Sequence, residues 1–576
     1  LTSAPELARY SRARFGAGDR FARIGGGPVG GKAAGLLHLA ARLESAYPGG
    51  RFGEFEVTVP GFAVVAADWF DAFLEENDLP GAAEIRPDDE IARAFQRGRL
   101  PAGLAGDLRA LAEGAHAPLA LRSSSLLEDA LEHPFAGVYG TKMTPNDALD
   151  ADTRFLRTVE ALKFVWASTF FGAARAYRER IGAGRERMAV LVQEVVGRRH
   201  GRRWYPDVSG VARSLAFWRF GGAAPEDGIG QLALGLGRTI VQGEPAFTFC
   251  PTRPAAMPPY GSTDELLRLT QSRFWAVRMG DPPEFDPVRE TEYLVHASLE
   301  DAARDGTLDL TASTLDPASE RLVPGTGRAG PRVLTFAPLL AGGDLPLAPL
   351  VRDLLIHAEG AARGPAEIEF AVTLGDGSAL PRLALLQCRP MSVATRRVDL
   401  TSRPAGFAPL LCSDHVLGNG VLEGITDVVS VVEERLEAPR SFAIAAELAA
   451  LNGRMREEGR PYLLIGPGRW GSADPWLGIP VNWSDVSGAG MLVETAAGDR
   501  PIEMSQGSHF FHNLAAFAVP YACLPPGGSI DRAWLQARPA VSRTDLLRHV
   551  RLERPLRILV DGRSGRGVVL RSEEPA

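Results

Sequence analysis

Apolar and polar positions follow several distinct rhythms along this chain, and each rhythm predicts a different element. Residues 24–45 begin with glycines and pass into a helical apolar stripe, so a glycine-rich loop opens a helix with Lys32 at its mouth. Val57 to Val65, interrupted by Pro60-Gly61, predicts a strand pair around a turn. Helical periodicity follows near 67–77 and 102–115, and the apolar run Pro118 to Leu121 predicts a strand that delivers Arg122 and the hydroxyls of Ser123, Ser124 and Ser125. A long amphipathic helix is predicted over 155–180. Met188 to Val196 is a short apolar strand carrying Gln193-Glu194. The Pro/Gly/Thr-rich stretch 305–332 predicts an exposed excursion. Ile368 to Thr373 and Leu383 to Gln387 predict two antiparallel strands joined by Gly375-Asp376-Gly377. Near the end, a helix over 544–549 is expected, then a hairpin pairing Leu556 to Val560 with Gly567 to Leu570.

This mixture of strand and helix patterns predicts the α/β class. At 576 residues the chain exceeds what one core fills, so several domains are expected. The parse is a lead-in over 1–23, a large first domain over 24–391 with subdomains about 24–185 and 186–391, and a polar, proline-bearing linker over 392–410. A separate α/β unit over 411–525 and a C-terminal extension over 526–576 complete it.

Composition and charge change this picture in five ways. A net charge of -7 gives no electrostatic reason to expect nucleic acid or an anionic membrane as partner. No apolar run approaches the roughly 20 residues needed to span a bilayer, and no basic-then-apolar signal segment opens the chain. The chain begins Leu1-Thr2 without a methionine, which leaves an upstream part open. The four cysteines are scattered without CxxC spacing, which points to a reducing cytoplasm and no zinc site. Only three of the 63 basic residues are lysines (Lys32, Lys142 and Lys163), so a lysine at the mouth of a glycine loop stands out from the arginine background.

The chemistry concentrates after Leu121. Arg122, three serine hydroxyls, then Glu128-Asp129 and Pro134-Phe135-Ala136-Gly137 combine fixed positive charge, hydroxyl donors and a closely approaching backbone, which is what a polyphosphate needs. A surface loop reads the same way. Lys32 after its glycine loop suits a phosphate ligand by the physics of a helix mouth, but Ala33 follows it and the Walker A hydroxyl is missing.

Eight segments occur in order: Gly31-Lys32-Ala33-Ala34-Gly35-Leu36, Val59-Pro60-Gly61-Phe62, Leu121-Arg122-Ser123-Ser124-Ser125 with Glu128-Asp129, Phe135-Ala136-Gly137, Val165-Trp166-Ala167-Ser168, Val192-Gln193-Glu194, Ile368-Glu369-Phe370 and Leu386-Gln387-Cys388-Arg389-Pro390. The series resembles the ATP-grasp nucleotide-binding domain of phosphoenolpyruvate synthase (pyruvate, water dikinase) and pyruvate, phosphate dikinase, over about 24–391. The resemblance implies that Lys32 and Arg122, with Ser123 beside it, hold ATP phosphates and that Gln193 and Glu194 line the adenine pocket. It also implies that Glu369 and Gln387 ligate Mg²⁺, with Arg389 on phosphate beside them. The bland alternatives are a solvated strand carboxylate, a core amide and a structural arginine. The chain departs from the pattern at Ala212-Arg213-Ser214, where Ala-Phe-Thr is usual, and at Arg238, where glutamate usually follows Gly-Leu-Gly.

In dikinases a swivelling phosphohistidine domain follows. Gln506-Gly507-Ser508-His509 opens a helical run here, Pro520 falls eleven residues after His509, and Ala473-Asp474-Pro475-Trp476 resembles the family's Thr-Asp-Pro segment. His509 suits three roles: phosphoryl carrier at a helix N-terminus, metal ligand together with His512, or buried or capping histidine. Gly466-Pro467-Gly468-Arg469-Trp470-Gly471-Ser472 is either a second anion-binding loop or a tight connection.

The resemblance thus implies a cytoplasmic, Mg²⁺- and ATP-dependent phosphotransferase in which His509 carries the phosphoryl group to a small-molecule acceptor, pyruvate or another. A direct ATP-grasp kinase or ligase and a non-catalytic ATP-binding regulatory module are the rivals. Too few residues remain after Cys523 for the family's (β/α)₈ barrel, which needs about 250, so pyruvate is not established as acceptor. The oligomeric state, a homo-oligomer included, stays open.

Overall fold

The computed structural model describes the whole chain except 1–6, 17, 80–86, 126–136, 183, 185, 218–221, 259–265, 268, 318, 320, 342–344, 376–378, 392–397, 402–405, 433–437, 497–508, 526–527 and 573–576. Its contacts divide the chain into two units. The first comprises 1–215, 221–240 and 245–391, and the second 216–220, 241–244 and 392–576.

In the first unit the apolar stripe after the glycines becomes the helix Gly31–Ala46, which buries Leu36, Leu39 and Leu43. A six-stranded sheet runs Ala8–Arg9, Phe21–Ile24, Phe62–Val65, Met188–Glu194, Leu119–Ser125, Thr141–Thr144. A seven-stranded sheet runs Phe247–Phe249, Ile229–Ala233, Val208–Arg213, Ala366–Thr373, Arg382–Pro390, Phe55–Thr58, Arg51–Phe52. One apolar core, with Leu36, Leu39, Phe62, Leu191, Leu354, Ile368 and Leu385, joins elements of both sheets and the helices Gly31–Ala46 and Leu347–Ala362.

Several expectations are corrected here. The strands around Pro60-Gly61 are not a pair: Phe55–Thr58 belongs to the seven-stranded sheet and Phe62–Val65 to the six-stranded one. Proline and glycine redirect the chain between sheets instead of turning it back. The helix predicted over 155–180 is two, Ala151–Ser168 and Gly172–Ile181. The excursion over 305–332 contains strands Ala312–Asp316 and Arg321–Pro324, which with Arg332–Leu334 form a small sheet. The antiparallel pair Ala366–Thr373 with Arg382–Pro390 is present, with a bulge after Glu369.

The second unit is built on a nine-stranded sheet, in which Gly420–Val431, Tyr462–Pro467, Ala489–Thr495 and Tyr521–Leu524 run parallel, with a small two-stranded sheet of Arg469–Trp470 and Gly478–Ile479. The helices Ala438–Glu457, Trp483–Val486 and His509–Ala516 occur in sequence between successive parallel strands, as parallel pairing requires. The residues expected as a C-terminal extension are part of this sheet, since Leu547–Asp561 pairs with Gly420–Val431 and Arg566–Ser572. The helix expected over 544–549 is the start of that strand. Thr544 accepts hydrogen bonds from Leu546 N–H and Leu547 N–H, a hydroxyl turn that reads locally like a helix cap. Asp427 braces the unit: buried, it accepts from Arg460, His549 and Arg551.

Candidate functional site

The glycine loop is fixed by close approach. Gly30 has φ 81°, and a Cβ there would lie 1.7 Å from the Ser124 carbonyl oxygen. Ser124 Oγ donates to Val29 O at 2.8 Å and accepts from Ala33 N–H at 3.2 Å. The mouth of the helix Gly31–Ala46 is therefore pinned to the strand of Arg122, with Lys32 on its first turn and no acidic residue there. Further along, Gly35 lies close to the Cys388 carbonyl, so the same helix runs from the Arg122 strand to that of Gln387.

Arg122 joins the two sheets. Its Nη1 donates to Leu386 O at 3.0 Å, and its Nη2 to Gln387 Oε1 at 2.8 Å and Glu369 Oε2 at 3.2 Å. Glu369 and Gln387 are direct cross-strand partners, and the bulge after Glu369 leaves the Leu386 carbonyl available to the guanidinium. Positions 247 and 265 residues away in sequence thus meet at one nitrogen. Ser123 is buried; by strand alternation it faces away from Arg122. Glu128, Asp129 and Phe135 lie outside the described residues.

Arg389 sits two residues from Gln387 and engages Glu367, with Nε at 2.7 Å from Oε1 and Nη2 on the same oxygen. Arg213, at the point where the sequence departs from the dikinase pattern, donates from Nε to Glu367 Oε2 at 2.5 Å. Sequence reading did not assign Glu367 a role; only the register, which puts it opposite both arginines, singles it out. Arg238 pairs with Glu290 at 3.4 Å and lies over the Trp275 ring. Glu290 also accepts from Thr141 N–H, opposite Arg122 in its sheet.

Gln193 is buried and donates to Pro60 O at 3.4 Å, whereas Glu194 is exposed at the strand end. Beyond them Ala120, Val195, Leu236 and Val277 form an apolar cluster edged by Met143, Trp204 and Trp275. This wall beside the expected adenine pocket was not foreseen; the isolated tryptophans were its signal.

In the second unit His509 opens the helix His509–Ala516, which follows the parallel strand Ala489–Thr495 in sequence. The side chains of His509 and His512 lie outside the described residues. The loop 466–472 resolves to a tight connection. Its N–H groups at Gly468, Arg469 and Gly471 donate to Thr495 O, Leu477 O and Ile479 O, and Trp470 N–H donates to Glu494. Those amides are spent within the fold. Glu494 also accepts from the Tyr521 hydroxyl, and burial pushes its carboxyl up to about 7 against the pull of those donors. Among the described residues no group of three or more His, Cys, Asp or Glu forms a metal cluster.

A mixed α/β unit whose helix mouth is pinned to the strand of Arg122, an arginine itself bonded to a carboxylate–amide pair, is consistent with an ATP-grasp-like nucleotide-binding fold. The family model for pyruvate phosphate dikinase, AMP/ATP-binding domain, matches residues 27–403, more than half of the chain, and the chain belongs to that family. It is an ATP-binding protein of the dikinase-like phosphotransferase class. Comparison with curated proteins gives no match. No helix among the described residues is long and apolar enough to cross a membrane.

Proposed function

We propose that this chain uses Mg²⁺-ATP to phosphorylate His509 and passes the phosphoryl group to a small-molecule acceptor, pyruvate or another. The observation that carries the nucleotide half is the meeting of Arg122 with Glu369 and Gln387. Two hard oxygens converge on one cationic nitrogen, a donor set that fits Mg²⁺ completed by phosphate oxygens and water. When bound, the ion would neutralise charge on the transferring phosphates. Glu369 and Gln387 would hold it, while Arg122 turns its fork to the phosphates and Lys32 adds a point charge from the helix mouth. Gln193 and Glu194 would border the adenine beside the apolar wall of Trp204 and Trp275. Catalysis of this kind is mainly positioning and charge neutralisation, which is what these residues supply.

For the second half, support comes from the family and from the position of His509 at the start of a helix following a parallel strand. Neutral imidazole attacks phosphorus near pH 7, and free N–H groups at a helix start favour the anionic product. Attack of His509 on the β-phosphorus would release AMP and carry the β and γ groups together, the γ-phosphate then leaving to water; incubation with ATP labelled at the β position should therefore give an acid-labile mark and AMP, both lost in His509→Ala. ADP without such a mark would replace the histidine relay by direct transfer, and tight binding without turnover against a panel of acceptors would leave a regulatory module.

A further inference from the structure

Glu290 lies where two parts of the first unit meet. On the strand Leu119–Ser125, Ala120 pairs with Met143 and Gln193, and Arg122, two residues on, pairs with Thr141 and Leu191. Directly paired residues share a face and alternate residues return to it, so both rows look the same way, about 7 Å apart. The first row joins the apolar wall edged by Trp204 and Trp275, and the second carries the guanidinium that meets Glu369 and Gln387. Thr141–Thr144 ends the six-stranded sheet on this side, and Thr141 N–H donates to Glu290 Oε1 at 3.3 Å. Glu290 Oε2 pairs at 3.4 Å with Arg238, whose guanidinium lies over the Trp275 ring. One carboxylate thus reaches the end of the Arg122 row with one oxygen and the margin of the apolar wall with the other.

This carboxylate is both held and reachable. Lys142, buried on the opposite face of the edge strand, donates to Asp286 O at 3.2 Å and pairs with Glu292, while Asp286 N–H donates to Glu292 Oε1 at 3.1 Å. That clamp fixes the segment 286–292, which carries Glu290, and so pre-sets its position. Glu290 itself is 37% exposed. A carboxylate accepts about four hydrogen bonds, so Thr141 and Arg238 do not exhaust it. A pair this open adds little to stability. Between a base on the wall and phosphates on Arg122 comes a sugar, whose adjacent hydroxyls are donors that a carboxylate accepts.

We propose that Glu290 is a specificity-determining residue for the sugar: it accepts from the 2′ and 3′ hydroxyls of a ribonucleotide, and the site thereby selects ribonucleotides over their deoxy counterparts. This rests on the nucleotide site proposed above. Arg238 and the Lys142 clamp act by keeping the carboxylate in place.

The test uses the full chain with Mg²⁺, titrated calorimetrically with an ATP analogue that has a non-hydrolysable β,γ bridge, with the 2′,3′-dideoxy form of that analogue, and with pyrophosphate. The native chain should bind the ribose form about tenfold or more tightly than the dideoxy form, the size of one hydrogen bond to a charged group. Glu290→Ala should abolish that preference by weakening the ribose form alone, and pyrophosphate, which has no sugar, should lose no affinity. Glu290→Gln, which keeps the volume and a neutral acceptor, should fall between, and it decides the matter if the alanine variant does not fold. Equal affinities in the native chain, or a preference undiminished in the variants, overturns the proposal. Arg122→Gln separates the two claims. If it leaves both the analogue and pyrophosphate unweakened, the nucleotide site itself is misassigned; if it weakens them and the sugar preference is absent or survives Glu290→Ala, only the present inference falls.

Discussion

The guanidinium of Arg122 donates to a backbone carbonyl, an amide oxygen and a carboxylate together, which asks for a planar fork of donors. Lysine keeps the charge but cannot span the three. Arg122→Lys is therefore expected to lower kcat/KM for ATP by about 10- to 100-fold, from the 1.5–3 kcal/mol typical of a charged hydrogen bond; steady-state ATP turnover measures it, and a wild-type value would refute the role. At this scale much of the first unit was legible. Arg122, Glu369 and Gln387 sat in recognisable surroundings, and the fold brings them within hydrogen-bond reach of one another. Glu367 and Arg213 were not legible as a pair, because nothing local tells a buried partner from a solvated strand charge. Their 154-residue separation closes only through the register of two paired strands, Val208–Arg213 and Ala366–Thr373.

Elements were legible where one periodicity ran unbroken and illegible where local chemistry has two readings. Thr544 with the residues after it reads as a capped helix or as a hydroxyl turn, and only the long partner strand Gly420–Val431 decides. Pro60-Gly61 reads as a hairpin or as a crossing between sheets. The helix Asp88–Arg97 had a usable signal in its acidic first turn and basic last turn, opposite charges matched to the helix dipole. At the strand ends of the second unit, Glu494 ties Trp470 and Tyr521 together, and Phe511 of the helix His509–Ala516 packs edge-on against Tyr521. Burial raises the folded pKa of Glu494 from 4.5 to about 7. The neutral form's contribution is thus complete below the unfolded value and is lost as pH rises to about 7. Glu494→Gln should match wild type near the unfolded pKa and exceed its stability well above pH 7, by up to about 3 kcal/mol at 1.36 kcal/mol per pKa unit. Denaturant unfolding of both proteins across that range checks it; parallel curves would show that Glu494 does not titrate there.

Each unit has its own apolar core, one around Leu36, Leu354 and Ile368, the other around Leu463, Val493 and Ile558. Two cores that share no residues predict two calorimetric transitions. ATP at about 100 times its Kd should stabilise the first unit by about 2.7 kcal/mol and leave the second transition in place. A single transition that shifts as a whole would mean the units unfold together.

The three lysines are each no more than 8% exposed. Lys142 pairs with Glu292, Lys163 donates to the Gln96 carbonyl, and Lys32 stands on the first turn at the helix mouth. Acylating reagents aimed at ε-amines therefore meet a chain with almost no reactive background. Footprinting with and without nucleotide reduces to following three lysine peptides by mass, of which the one bearing Lys32 reports on the glycine loop without a radioactive tracer or a coupled assay.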